Sequence, residues 1–268
     1  MELQGRVDEL RKSGLGLAVV TYDPVPVLDE FAIRRRITFP LLSDSNSATI
    51  RRYGILNTTV AETNPSFGYP FPGTFVLDPA GVVTARFFEQ TYQERNTINS
   101  VLIRLGGRID APAAKISAPH MQIVAYATDS VAAPGTRFSL VLDITPDPRI
   151  HVYAPGVSGY KPIALAFSAQ PGLIIRETHF PASETYHFKP LDERVPVFQR
   201  PFRITQDVTL DASREGEAAL KGKDRLTIAA TLNYQACDDT LCFNPQSIPL
   251  SWTIGVRPLD RERVKKQE

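Results

Sequence analysis

The stretch TLNYQACDDTLCFNPQSIPLSWTI, residues 231–254, reads as two strand-like runs meeting at a turn. TLNYQAC on one side and SIPLSWTI on the other are β-rich, and Asp238-Asp239-Thr240 between them is turn-forming. Cys237 and Cys242 are the only two cysteines among 268 residues. At the facing ends of a hairpin they come within disulfide range. A reactive pair, a structural staple and a metal half-site are all open. A zinc site needs four ligands, usually with a second close pair, and the sequence has none, so no metal or other cofactor is expected. A staple across so short a loop removes little unfolded-state entropy. Exchange, by contrast, needs an accessible sulfur, which an exposed hairpin end supplies. Spacing alone leaves both readings standing. Asp238 and Asp239 oppose thiolate formation, which suits a pair attacked as a disulfide better than a potent oxidant.

Working outward, HMQIVAYATD, TRFSLVLDITP, IHVYAP, IALAFSA, LIIRETHFP, FRITQDVTLDA and DRLTIAATLNYQAC are short, β-branched and separated by Pro, Gly and Asp. That spacing predicts an antiparallel β-sandwich over residues 120–257. Residues 258–268 form a charged tail, and residues 108–119, RIDAPAAKISAP, read as an Ala/Pro-rich linker. Residues 1–107 instead give the order α-β-α-β-α-β-β-α, an α/β layered domain. Its strands are LGLAVVTY, FPLLSD and a hairpin GTFVLD-PAG-VVTARFF, and its last helix covers Thr91–Gly107.

The net charge of +1 offers no bias toward nucleic acid or anionic membrane. No run approaches the roughly 20 apolar residues of a transmembrane helix, and no signal peptide is visible. His120, His151, His179 and His187 match no metal or triad spacing. No phosphate loop or Ser/His/Asp constellation occurs.

On LGLAVVTYD, FPLLSDSNSATIRRYGI and PGTFVLDPAGVV, the first domain resembles the AhpC/TSA and TlpA-like branch of the thioredoxin fold. The resemblance implies a cis-proline at Pro72, facing a redox centre. It also implies a first strand and a reactive cysteine upstream of Met1, since this domain holds no cysteine. A truncated reading frame or a degenerate scaffold would account for that. On RIHVYAPG (Arg149–Gly156) and YQACDDTLCFNPQSIPLSW (Tyr234–Trp252), the second domain resembles the DsbD N-terminal domain, an immunoglobulin-like sandwich. That resemblance implies electron relay by Cys237 and Cys242 outside the cytoplasm, in a periplasmic setting. The partner would be a thioredoxin-like protein or a membrane electron transporter. It further implies an aromatic cap loop at Glu184–Gln199, with Tyr186 and Phe188 as shields. Tyr153, His151 and Tyr234 would line the pocket. A non-catalytic binding module with a structural disulfide, and a fragment of a thiol peroxidase with its cysteine upstream, are the competing functions.

Overall fold

The computed structural model describes residues 2–64, 67–88, 94–188 and 192–258. The chain divides into two units, Met1–Val101 and Leu102–Glu268.

In the first unit, helix α1 (Glu2–Lys12) buries Val7 and Leu10. Strand β1 (Val19–Thr21) pairs in parallel with β2 (Leu41–Ser43). Between them runs α2 (Val25–Arg35), which has Pro in its first turn and ends on Arg36 in the left-handed conformation. Helix α3 (Ala48–Arg52) follows, with the Asp44 carboxylate accepting hydrogen bonds from the Thr49 and Ile50 amides. Strands β3 (Gly73–Leu77) and β4 (Val83–Phe88) form the expected hairpin. Asp78 Oδ1 accepts the Ala80 and Val82 amides across its turn, and Gly81 takes φ 81° there.

Three expectations change. The peptide before Pro72 is trans, because no cis bond occurs among the described residues. The Phe71 amide donates to the Ile55 carbonyl at 2.7 Å, and Leu56 bridges Pro70, so the chain enters β3 in extended form. There the trans preference of about 0.5–1 kcal/mol stands unopposed. The last helix is shorter than Thr91–Gly107. A two-residue strand β5 (Arg95–Asn96) precedes it, and α4 spans Ile98–Arg104. The Thr97 hydroxyl accepts the Ser100 amide, a cap that fixes the start; residues 91–93 lie outside the described residues. Finally, the segment read as a linker contains strand β6 (Ala114–Ala118), which pairs along its length with β7. Its apolar Ile116 and Ala118 pack on the sandwich core, which outweighs the loop-like composition.

The second unit continues with β7 (Met121–Ala127), β8 (Val131–Ala132), β9 (Thr136–Pro146), β10 (His151–Tyr153), β11 (Ala164–Phe167), β12 (Leu173–His179), β13 (Glu184–Phe188), β14 (Glu193–Phe198) and β15 (Phe202–Leu210). After helix α5 (Arg214–Leu220) come β16 (Arg225–Tyr234), β17 (Ala236–Cys237) and β18 (Gln246–Val256). One sheet runs β12-β15-β9-β7-β6 and a second β11-β16-β18-β8. Alternation along the strands turns Phe138, Leu140, Leu142, Ile144, Ile204 and Val208 of the first sheet toward Leu226, Ile228, Leu232, Leu250, Trp252 and Ile254 of the second. Each such burial is worth about 1.5–3 kcal/mol. The result is a two-sheet sandwich, as the strand spacing predicts. The short helix α5 was not anticipated. The Ser213 hydroxyl caps it by accepting the Gly216 amide, and Glu215 and Glu217 sit favourably in its first turn.

A third sheet, β13-β14-β10-β17, carries the cysteines. Its central strand β10 works on both sides. Val152 points into the sandwich core, and His151 and Tyr153 point away from it. Residues 259–268, which hold nearly all of the charged tail, lie outside the described residues.

Candidate functional site

Cys237 and Cys242 are joined as a disulfide, with their Cα atoms 4.0 Å apart. The local backbone explains why they meet. The Asp238 amide donates to the Leu241 carbonyl, and the Phe243 amide donates to the Ala236 carbonyl. This leaves Cys237 and Cys242 as the close, non-hydrogen-bonded pair of a tight hairpin. Asp238 builds the turn: its Oδ1 accepts from the Thr240 hydroxyl and from the Thr240 and Leu241 amides, at 2.7–2.9 Å. The Thr240 hydroxyl and those amides hold its carboxyl down at about 2.

The two sulfur-bearing residues differ sharply in access. Cys237 is 1% exposed, pinned in β17 against β10, where it faces His151 in register. Cys242 is exposed, beside the exposed Leu241. The Tyr153 hydroxyl lies 3.6 Å from Cys242 Sγ. A small apolar cluster of Tyr153, Val195, Val197 and Cys237, with Val157, Tyr160 and Tyr186 packed on it, closes over the buried sulfur.

The segment expected as a cap is a β-hairpin, β13 with β14, whose residues 189–191 lie outside the described residues. Tyr186 reaches the site from it. Its hydroxyl donates to Asp239 Oδ1 at 2.8 Å, and its ring lies 4.2 Å from that of His151. Burial, with Asp239 adding to it, pushes the Tyr186 hydroxyl up to about 12. Burial likewise raises Tyr153 to about 12, with Tyr160 and Glu193 contributing. His151 is 3% exposed, and burial lowers its pKa against the opposing pull of Asp239 and Asp238.

Not every expected residue gathers here. Phe188 sits two positions beyond Tyr186 on β13 and takes no part in the cluster around Cys237. Tyr234 is a core residue. It is 1% exposed, belongs to the sandwich cluster and donates its hydroxyl to the Pro119 carbonyl at 2.6 Å. Pro72 belongs to the other unit. Four further residues join the site: Tyr160, Asp239, His120 and Phe243. Tyr160 stacks on Tyr153 at 4.1 Å and donates to Glu193. Asp239 receives Tyr186. His120, at the tip of the β6–β7 turn, stacks at 3.8 Å on Phe243, the residue after Cys242. No group of three or more His, Cys, Asp or Glu suited to a metal occurs among the described residues.

Residues 121–249 match the family model described as thiol:disulfide interchange protein DsbD, N-terminal. Residues 1–86 match the AhpC/TSA family model. The two matches cover different parts of the chain, and both cysteines lie inside the part that matches the DsbD-type model. Among solved structures, the N-terminal periplasmic domain of ScsB from Proteus mirabilis is similar at 11% identity and TM-score 0.39, over 53% of this chain and 51% of that one. The match therefore spans about half of the ScsB chain. The reduced DsbD N-terminal domain of Neisseria meningitidis is similar at 12% identity and TM-score 0.29, over 44% of this chain and 81% of that one. No curated protein matches. No helix among the described residues is long and apolar enough to cross a membrane.

Proposed function

We propose that this protein is an extracytoplasmic thiol–disulfide oxidoreductase that relays electrons through Cys237 and Cys242. The observation that carries the reading is the asymmetry of the disulfide, with one cysteine buried at 1% exposure and the other at the surface. Exchange requires an incoming thiolate to reach one sulfur while the other leaves. Here a partner thiolate attacks Cys242 Sγ, the S–S bond breaks, and Cys237 departs with the electron pair and takes up a proton. The partner's second thiol then loses its proton and attacks the partner sulfur of the mixed disulfide. Cys242 is released as a thiolate and is protonated. The partner dithiol is oxidised and this pair is reduced, by two electrons and two protons. Tyr153, beside Cys242 Sγ, keeps its proton at neutral pH and can donate a hydrogen bond to that thiolate.

In this reading the β13–β14 hairpin is the cap, Tyr186 its shield, and the sandwich that runs from β6 to β18 the relay domain. Residues 1–107 form a thioredoxin-like domain of the AhpC/TSA type, without a cysteine of its own. The partner is a thioredoxin-like protein or a membrane electron transporter, in a periplasmic compartment where a persistent disulfide is chemically at home. The test is the reduction potential of the pair, from equilibration in thiol redox buffers with free thiols trapped for mass spectrometry. A midpoint well above about −300 mV supports relay, and one below it makes the disulfide a staple.

A further inference from the structure

Among the described residues, His151 is the one histidine paired in strand register with a cysteine. It lies directly opposite Cys237 in the β10–β17 register, and side chains so placed have Cβ atoms about 4.5–5.5 Å apart. Both residues are sealed from solvent. The Tyr186 ring covers the imidazole at 4.2 Å, and the Tyr153 ring meets it edge-on at 5.6 Å. A proton bound for Cys237, or leaving it, cannot pass freely to water, so a neighbour must take it.

The groups around His151 can be taken element by element. On its own strand Tyr153 stays protonated, raised to about 12. On β13 Tyr186 does the same. In the hairpin turn Asp238 is held at about 2 and remains a carboxylate. Asp239 accepts from Tyr186. Arg149, just before β10, faces Asp238 electrostatically. Beyond Tyr153, the Tyr160 hydroxyl donates to Glu193. Imidazole is the one side chain in this set whose ordinary titration range allows it both to accept and to return a thiol proton near neutral pH. Burial lowers the imidazole pKa, which keeps it neutral and ready to accept, while the two nearby carboxylates pull the other way and soften the cost of the imidazolium that forms in passing.

We propose that His151 is a catalytic acid–base that carries the Cys237 proton, a role that rests on the relay reading above. When the reduced protein is oxidised, Cys242 first forms a mixed disulfide with the oxidant. The His151 imidazole accepts the S–H proton of Cys237 as that sulfur attacks Cys242. The new S–S bond forms, the oxidant's thiolate leaves with the electron pair, and the imidazolium's proton passes to it or to solvent. In the reducing direction the imidazolium returns the proton to the departing Cys237 thiolate.

The test uses the chemically reduced full chain and oxidised glutathione. Acid quenching and mass spectrometry follow the glutathione adduct on Cys242 and then its loss as the ring closes. In His151→Gln, adduct formation should stay within about twofold, whereas closure should slow by about 10²-fold at neutral pH, the usual scale of general-base catalysis. The variant's closure rate should climb with hydroxide and meet the wild type in alkali. Equal closure rates with the same pH profile would overturn the proposal.

Should His151→Gln fail to fold, shown by changed Trp252 fluorescence, the wild type still decides. The His151 imidazole, followed by NMR in the reduced protein, should titrate differently once Cys237 is replaced by Ala, and an unchanged titration refutes the coupling. A midpoint in the staple range would sink the relay reading alone, because closure of the chemically reduced chain still reports on His151.

Discussion

The cap hypothesis makes a numerical demand on Tyr186. Its hydroxyl donates to the Asp239 carboxylate at 2.8 Å, and its ring covers His151 at 4.2 Å. A hydrogen bond to a charged group contributes about 1.5–3 kcal/mol where it is buried, and an exposed one nearer 1 kcal/mol. The ring contact adds about 0.5–1.5 kcal/mol. Cys242 is at the surface with the hairpin closed, so the cap acts on the buried leaving sulfur: if Cys237 is released only when the hairpin lifts, the rate follows the open fraction. Tyr186→Phe removes the hydrogen bond and keeps the ring, so reduction by dithiothreitol should speed up about fivefold. Tyr186→Ala removes both, about 2 kcal/mol together, and should give about a 30-fold gain. Phe188→Ala, on the same strand but outside the cluster, should change little. The assay is pseudo-first-order reduction, with thiols alkylated at each time point and counted by mass. Tyr186→Ala reduced at the wild-type rate would mean that the hairpin does not gate the sulfur.

Three further outcomes are expected. With Cys237 replaced by Ala, Cys242 should react rapidly with iodoacetamide; with Cys242 replaced by Ala, the buried Cys237 should react at least about 10²-fold more slowly, read by mass spectrometry. Asp238 has a folded pKa of about 2 against an ordinary 3.8, so its contribution to stability is present above the ordinary value and is lost as pH falls through about 2. Denaturant midpoints should therefore show Asp238→Asn less stable than wild type near neutral pH, with the gap closing below about pH 3. Gly216→Ala should lower the melting temperature although alanine favours helix: the added Cβ would stand 2.3 Å from Asp211 Cγ and 2.6 Å from its backbone oxygen, an overpacking cost of about 1–3 kcal/mol.

The parts of the site legible in the sequence were the local ones. The cysteines sit five positions apart in one hairpin, so strand pattern and turn chemistry alone bring them together. Tyr153 and His151 follow from strand parity, two positions apart on one face of β10. The same parity argues against Tyr234 as a pocket residue. Leu232, Tyr234 and Ala236 alternate into the sandwich core, whereas Cys237 has the opposite parity. That signal was present and was outweighed by the Tyr-Gln-x-Cys pattern. Asp239 and Tyr160 depend on contacts that no local pattern encodes: Tyr186 is 53 residues from Asp239, and Tyr160 reaches back over a loop to Tyr153. The β6 strand hid inside an Ala/Pro-rich composition because its partner β7 supplies the pairing that its own propensity lacks.

The disulfide can open without costing the fold, and that follows from what surrounds it. In the chain-entropy model, a ring this short stabilises by about 2 kcal/mol, against about 5–15 kcal/mol for a typical domain. Reduction removes only that covalent constraint. The pairing of β17 with β10, the Phe243 amide to the Ala236 carbonyl, and the three hydrogen bonds to Asp238 involve no sulfur. The His120–Phe243 stack holds the outgoing chain on the far side of Cys242. The reduced hairpin therefore keeps both thiols facing each other, and closing it again needs no search through unfolded conformations. The potential of the pair is then governed by the thiol surroundings, namely a buried Cys237 opposite His151 and a surface Cys242 beside Tyr153, rather than by folding. Reduced and oxidised protein should accordingly show nearly the same Trp252 emission and differ in melting temperature by only a few degrees. A reduced form that loses the core signal would show instead that the bond is there to hold the sandwich shut.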